Sequence, residues 1–326
     1  MFADRGLMYG KGDVFVYRTY ATPLRGVTPI PESGYEGDDN VIFAWNVQVA
    51  LGGEAFRTSF TDGDNSLVVA TDSMKNFILR HTADFEGSTI ESFLYVMAAR
   101  FMNRYGHVDE VELGAQRVPF DPAAVGIEGG VARSQFVFRR SRNEQTTASI
   151  RMKRTPSGPI VTALSGGLSG VQLIKVKGSS FNGFIRDEYT TLPETSDRPL
   201  FIYLNLAWTY GDVDDAIGGD MSRYVPAEQI GDIAQTVFHE VASPSIQHLL
   251  HLIGMRIMAR FPQLAAVSFE SNNRTWETVV EQVAAGEGAV YTEPRPPYGF
   301  QRYTLTRSDA DEYRPNYDAR IGSAAR

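Results

Sequence analysis

The sequence predicts an α+β protein built from two similar halves, each an antiparallel sheet with helices on one face. Three observations predict it. Strand signals dominate the chain, two amphipathic helical stretches stand apart from them, and those two stretches are versions of one unit. The length of 326 residues agrees, because it exceeds what one core usually fills and favours two domains.

The β-rich runs come first. "DVFVYRTY" and "VIFAWNVQVAL" read as strands, and "NSLVVAT" is a short apolar run read as a strand leading into a short helix. "VQLIKV" and "LFIYLNLAW" bracket a long, aromatic and threonine-rich connection, "SSFNGFIRDEYTTLPETSDR" (179–198), where a hairpin turn would normally be short. "GAVYTEPRPPYGFQRYTLT" reads as strand, proline-rich break, strand. The first helix is "STIESFLYVMAARFMNRYG", with Ile90, Phe93, Leu94, Met97, Phe101 and Tyr105 on one face. The second is "SPSIQHLLHLIGMRIMARFP", with Ile246, Leu249, Leu250, Ile253, Ile257 and Phe261.

Residues 90–113 align without gaps on 246–269, a shift of 246 − 90 = 156. Ile90 meets Ile246, Arg100 meets Arg256, Met102 meets Met258, Arg104 meets Arg260 and Val111 meets Val267. Apolar faces match by chance. The same Arg-x-Met-x-Arg in the same phase, followed by the same strand pattern, marks an internal duplication. The expected boundary falls in "PFDPAAVGIEGGVARS" (119–134), giving domains 1–130 and 131–326.

Composition excludes several classes of function. A net charge of −8 argues against nucleic acid as a partner. With no cysteine there is no disulfide, thiolate nucleophile, iron–sulfur cluster or cysteine zinc site. The apolar stretch 236–260 is interrupted by His239, Glu240, His248, His251 and Arg256 and is too polar to span a bilayer. No apolar signal region and no targeting tripeptide are seen, so a cytoplasmic location is expected. His248 and His251 share a helix face, but no third ligand accompanies them and no metal site is expected. No GxGxxG fingerprint or Walker loop is present.

Four stretches, "YGK" (9–11), "GDNSLVVATDSMKN" (63–76), "FNGFIRDEYTTLPETSDR" (181–198) and "SIQHLL" (245–250), together resemble the factor-independent urate oxidases (uricases). The resemblance runs over nearly the whole chain. It implies two tandem T-fold (tunnelling-fold) domains, assembly as a homotetramer, active sites between subunits, and oxidation of urate by O2 with no cofactor and no metal.

The resemblance also implies site residues. Lys11 and Thr71 would form a proton relay, because a threonine hydroxyl is a poor base until a neighbouring lysine sheds its proton. Taken alone, Lys11 is a solvated turn charge and Thr71 a helix cap. Asp72 would serve through its backbone at a helix start, which favours an anion. Phe181 would stack on the flat heterocycle, and Arg198 would grip its anionic edge with two parallel donors. Taken alone, they are a core aromatic and one partner of a local pair with Asp197 or Asp187. Gln247 matches a ring edge with one donor and one acceptor, and Ile246 contributes its backbone. Gln247 has Glu91 as its counterpart in the first half. In "SFESNNRTW", either Asn272 or Asn273 would face dioxygen. Arg274 stands where the family pattern has a histidine, and arginine cannot shuttle protons at neutral pH. Two other readings compete: a different T-fold enzyme acting on a pterin or purine, and a purine-binding protein without catalysis.

Overall fold

The computed structural model describes residues 6–140, 142–242, 244–275, 277–283 and 288–324. The chain divides into two compact units. The first is Met1–Gly167 with Thr209–Glu228, and the second is Leu168–Trp208 with Gln229–Arg326.

In the first unit the strands are β1 (Met8–Thr19), β2 (Ile42–Gly52), β3 (Glu110–Arg117), β4 (Asp121–Ile127), β5 (Gly130–Arg139), β6 (Gln145–Thr155) and the start of β7 (Gly158–Lys175). Its helices are α1 (Arg57–Thr61), α2 (Thr71–His81), α3 (Ile90–Arg104) and α4 (Asp214–Ile217). β1, β2, β3 and β6 pair in that order, each neighbour antiparallel. One register row runs Val14, Val47, Ala115, Ala148, all buried, because alternate residues face the helices. Phe93, Leu94, Met97 and Phe101 of α3 are fully buried against this face, as their spacing predicts.

The second unit repeats the plan with the end of β7, β8 (Leu200–Tyr210), α5 (Ala227–Glu240), α6 (Ile246–Arg260), β9 (Leu264–Thr275) and β12 (Arg295–Thr306). It adds β10 (Thr278–Val280), β11 (Val290–Tyr291) and α7 (Arg307–Ala324). β9 and β12 pair antiparallel, with Val267 opposite Leu305.

The duplication extends to the caps. Thr89 and Ser245 are N-caps whose hydroxyls accept from the N–H groups of Ser92 and His248. Both helices end after Arg104 and Arg260 with similar terminal backbone angles, φ −118° at Tyr105 and −121° at Phe261. An arginine then latches each helix–strand corner. Arg154 donates to the carbonyls of Met102, Tyr105 and Val108, and Arg307 to those of Met258, Phe261 and Leu264. These are the same three positions shifted by 156, that is 258 − 102.

Two expectations change. The stretch 119–134 is not a linker loop: β4 and β5 form a hairpin there, and the division between units falls inside β7 after Gly167. "NSLVVAT" is not a strand. The Tyr9 hydroxyl donates to the Val69 carbonyl at 3.0 Å and accepts from the Val69 N–H at 2.7 Å, so a side chain satisfies the backbone that a sheet partner would have paired. The stretch 227–240, for which the sequence analysis names no element, is α5. Among the described residues no helix is long and apolar enough to cross a membrane.

Gly10 is required by a close approach. A Cβ there would lie 1.9 Å from the Val49 carbonyl oxygen, whereas at Gly12 nothing lies within 4 Å. Gly10→Ala is therefore expected to cost roughly 1–3 kcal/mol by forcing β1 away from β2. Gly12→Ala should be nearly neutral, and paired thermal melts check the contrast.

Candidate active site

The long connection between β7 and β8 is pinched at its base. The Phe181 N–H donates to the Thr195 carbonyl at 2.8 Å, and the Thr195 N–H returns a bond to Phe181 at 3.0 Å. The Arg198 N–H donates to Ser179 at 2.8 Å, and the Asp197 carboxylate accepts from the Gly178 N–H at 2.6 Å. These bonds set two distant residues side by side, with the Arg198 guanidinium carbon 5.5 Å from the centre of the Phe181 ring. Phe184 stacks on Phe181 at 4.8 Å, while Ile185 and Tyr189 project outward, 89% and 82% exposed. Arg198 takes neither of the carboxylate partners its sequence neighbourhood offers. Asp197 bonds the backbone, and Asp187 bonds Thr190 and Tyr189. Its Nε is buried without a hydrogen-bond partner among the described residues, and burial draws the guanidinium pKa below its ordinary value. A desolvated planar cation beside an aromatic face suits a flat anion.

The start of α6 faces the same space. Ser245 caps the helix through His248, which leaves the N–H groups of Ile246 and Gln247 with no acceptor inside the helix. Phe181, Arg198, Ile246, Gln247 and Asn273 line one cavity of about 230 Å³. Ser180, Leu192, Leu200, Ser245 and Gln301 complete its wall. Asn273 accepts from the Gln301 amide at 3.3 Å, and the other end of that amide, Oε1, is buried without a partner among the described residues. Gln301 was missed because it lies outside every recognisable motif, and only its place on β12 beside β9 brings it here.

Of the two asparagines, Asn273 enters the cavity. Side chains alternate along β9, so Asn272 and Arg274 take the opposite face. Arg274 stacks between two rings, 4.6 Å from Tyr203 and 5.7 Å from Tyr298. His251 bonds the Tyr303 hydroxyl at 2.9 Å. Among the described residues no group of three or more His, Asp or Glu is arranged to hold a metal ion.

Lys11, Thr71 and Asp72 lie together in the first unit. Tyr9, held on Val69, brings the start of α2 to β1, where Lys11 follows Gly10. Thr71 is the first residue of α2 and not its cap. The cap is Ala70, which has no side-chain acceptor, so the Thr71 hydroxyl is spared that role. Lys75 bonds the Asp72 carboxylate at 2.6 Å and Asn76 bonds it at 2.9 Å. These bonds, with a smaller contribution from the Lys11 charge, hold it below the usual carboxylate range. The Asp72 side chain is thus occupied, and what it offers a ligand is its N–H at a helix start.

The sequence pattern of the uricase family matches residues 7–149 and 164–302. The uric acid degradation bifunctional protein PucL of Bacillus subtilis is 53% identical over 308 residues, covering 94% of this chain and 62% of that protein. The chain therefore spans under two thirds of the bifunctional relative. The uricase of Haloferax volcanii is 49% identical over 306 residues, covering 93% of this chain and 99% of its own. Among solved structures, a uricase from Bacillus fastidious superposes with a TM-score of 0.93 at 53% identity, covering 96% and 97% of the two chains. Urate oxidase from Bacillus sp. TB-90 gives 0.90 at 54% identity, covering 92% of this chain and 99% of its own. The fold is accordingly the tandem T-fold, α+β with antiparallel sheets. Matched by the family pattern along most of its length, and near half identical to relatives across it, the chain belongs to the uricase family.

Proposed function

We propose that the protein oxidises urate with dioxygen and water to 5-hydroxyisourate and hydrogen peroxide, as a cytoplasmic homotetramer. The observation that carries this reading is the cavity in which Arg198, the Phe181 ring and the start of α6 converge. Urate would stack on Phe181. Its anionic edge would take two parallel bonds from Arg198, and Gln247 would read the adjoining donor and acceptor. The Ile246 N–H would bind a carbonyl oxygen of urate, and Asn273 with Gln301 would hold dioxygen or water above the ring. The electrons come from urate itself, which deprotonation makes electron-rich. The protein's work is then binding, proton removal and positioning.

Lys11 and Thr71 would remove the proton, and the Thr71 and Asp72 N–H groups would close the anion site. In the proposed tetramer they come from a different subunit than the cavity does. Asn272, on the other face of β9, is left out of contact with urate. Arg274, held by two tyrosines on the other face of β9, takes no part in a relay.

The test is loss of urate absorbance with oxygen uptake and peroxide measured together, with and without a strong chelator. Loss of urate with matching peroxide, unchanged by chelator, supports the proposal. One observation favours a second reading, binding without turnover: the residue in the histidine position is a locked arginine. Urate binding with no oxygen uptake would select that reading.

Arg198→Lys is expected to raise KM for urate roughly 10-fold or more, because lysine offers a point charge in place of a two-pronged donor. The effect on kcat should be smaller, and steady-state kinetics check the split.

A further inference from the structure

The repeat places a second set of pocket positions in the first unit. The isolated backbone bridge Phe181–Thr195 has a counterpart in Leu24–Asp38, and each joins residues 14 apart (195 − 181 and 38 − 24). Leu24 thus stands where Phe181 stands. At the shift of 156, Thr89, Ile90, Glu91 and Arg117 stand for Ser245, Ile246, Gln247 and Asn273. In the second unit these positions line an open cavity. In the first unit two of these positions, Leu24 and Glu91, meet Tyr224.

Tyr224 is 6% exposed and packs with Leu24, Val27, Tyr35 and Met221. Its hydroxyl donates to Glu91 Oε2 at 3.1 Å. Glu91 is fully buried, and its other oxygen, Oε1, has no hydrogen-bond partner among the described residues. Arg117 binds Asp38, and it binds Glu228 at 3.2 Å. The segment that delivers the ring is anchored on both sides. The Thr28 hydroxyl donates to the Ser222 carbonyl at 2.7 Å, and the Val225 N–H donates to the Tyr210 hydroxyl at 3.1 Å. A flat ring therefore lies against a helix start, with a donor aimed at a side chain on the second residue of that helix. That is the arrangement the second unit offers to a ligand. A buried carboxyl with one oxygen left unpartnered is costly in a plain core, and it is what remains when a polar pocket is closed by a residue that supplies one hydrogen bond.

We infer that the first unit contains a second copy of the pocket, closed by the chain's own Tyr224. Removal of that ring opens a site for a planar aromatic molecule carrying an O–H or N–H donor. Leu24 and the apolar neighbours supply the faces, and Glu91 supplies the acceptor. The inference rests on the internal repeat and does not depend on urate turnover.

The experiment uses the full chain carrying Tyr224→Ala, with p-cresol, the excised side chain, as the probe. Toluene, which has the same shape without the hydroxyl, is the control. A ligand that binds only the native state raises the melting temperature by mass action. The expected result is a p-cresol-dependent rise in Tyr224→Ala that is absent in the unsubstituted protein, larger than any rise with toluene, and abolished by adding Glu91→Leu. No p-cresol-dependent rise in folded Tyr224→Ala overturns the inference. An equal rise with toluene overturns it too, because the site is then a void without the Glu91 acceptor. If Tyr224→Ala does not fold alone, expression with p-cresol decides. Recovery of folded protein with p-cresol and not with toluene supports the inference, and no recovery overturns it.

Discussion

Replacing Lys11 with methionine is expected to lower kcat by roughly 10²–10⁴-fold, the usual worth of a positioned proton-transfer group. Urate binding should change only a few-fold. Lys11 is exposed on β1 and lines no part of the cavity that holds Phe181, Arg198 and Gln247. The substitution removes the ammonium and keeps a chain of similar length, so Gly10 and its contact with Val49 are undisturbed. Thr71→Val should act in the same direction. The double variant should be little worse than either single one, because groups working as a unit lose their function together. Steady-state kinetics and a separate urate titration supply both readings. Near-normal kcat in Lys11→Met would remove lysine from the reaction.

The second large effect concerns stability. Burial pushes the Glu91 carboxyl up to about 8, and the Glu228 charge adds to the rise, while the Tyr224 hydrogen bond opposes it. Tyr210, Tyr35, Arg117 and Asp38 are further charged or titratable groups gathered around Tyr224 and Glu228. An acid with a raised pKa in the folded state stays protonated there while the unfolded chain ionises. Its contribution is complete below about pH 4.5, the unfolded value, and is lost as pH rises toward 8. Glu91→Gln removes this slope and places at 91 the residue type the second repeat carries at 247. The variant is expected to match the unsubstituted protein near pH 4 and to exceed it by on the order of 3 kcal/mol near pH 8. Urea unfolding at both pH values reads the difference. Parallel pH profiles for the two proteins would show that Glu91 ionises freely in the folded state.

The helices α3 and α6 were legible because each carries its own apolar stripe, and the duplication was legible because the stripes and the Arg-x-Met-x-Arg residues stay in phase. Phe181, Arg198, Ile246 and Gln247 were readable from motifs, and the structure brings all four to one cavity. The choice between Asn272 and Asn273 was not readable, because it turns on which face of β9 each takes once paired with β12. Gln301 and Tyr224 gave no local signal. Neither sits in a motif, and each acquires its place from a strand or segment distant in sequence. The misreading of "NSLVVAT" has the same origin. Its apolar pattern suits a strand, but both backbone groups of Val69 bond Tyr9, 60 positions away.

The two-fold repeat, the helices with their buried faces, and the residue types able to grip a flat anion are all written in the order of residues. Periodicity and propensity act between neighbours a few residues apart, so they are written locally. Which copy of the pocket is open depends on long-range packing. The difference lies in what reaches each helix start. At α6 the Ser245 cap and Gln247 face a cavity, and at α3 Glu91, the counterpart of Gln247, meets Tyr224, 133 positions further along the chain. Closing a loop of that length costs conformational entropy that depends little on the residues inside it. The contact is therefore set by the packing and hydrogen bonds at its ends, which no local pattern records.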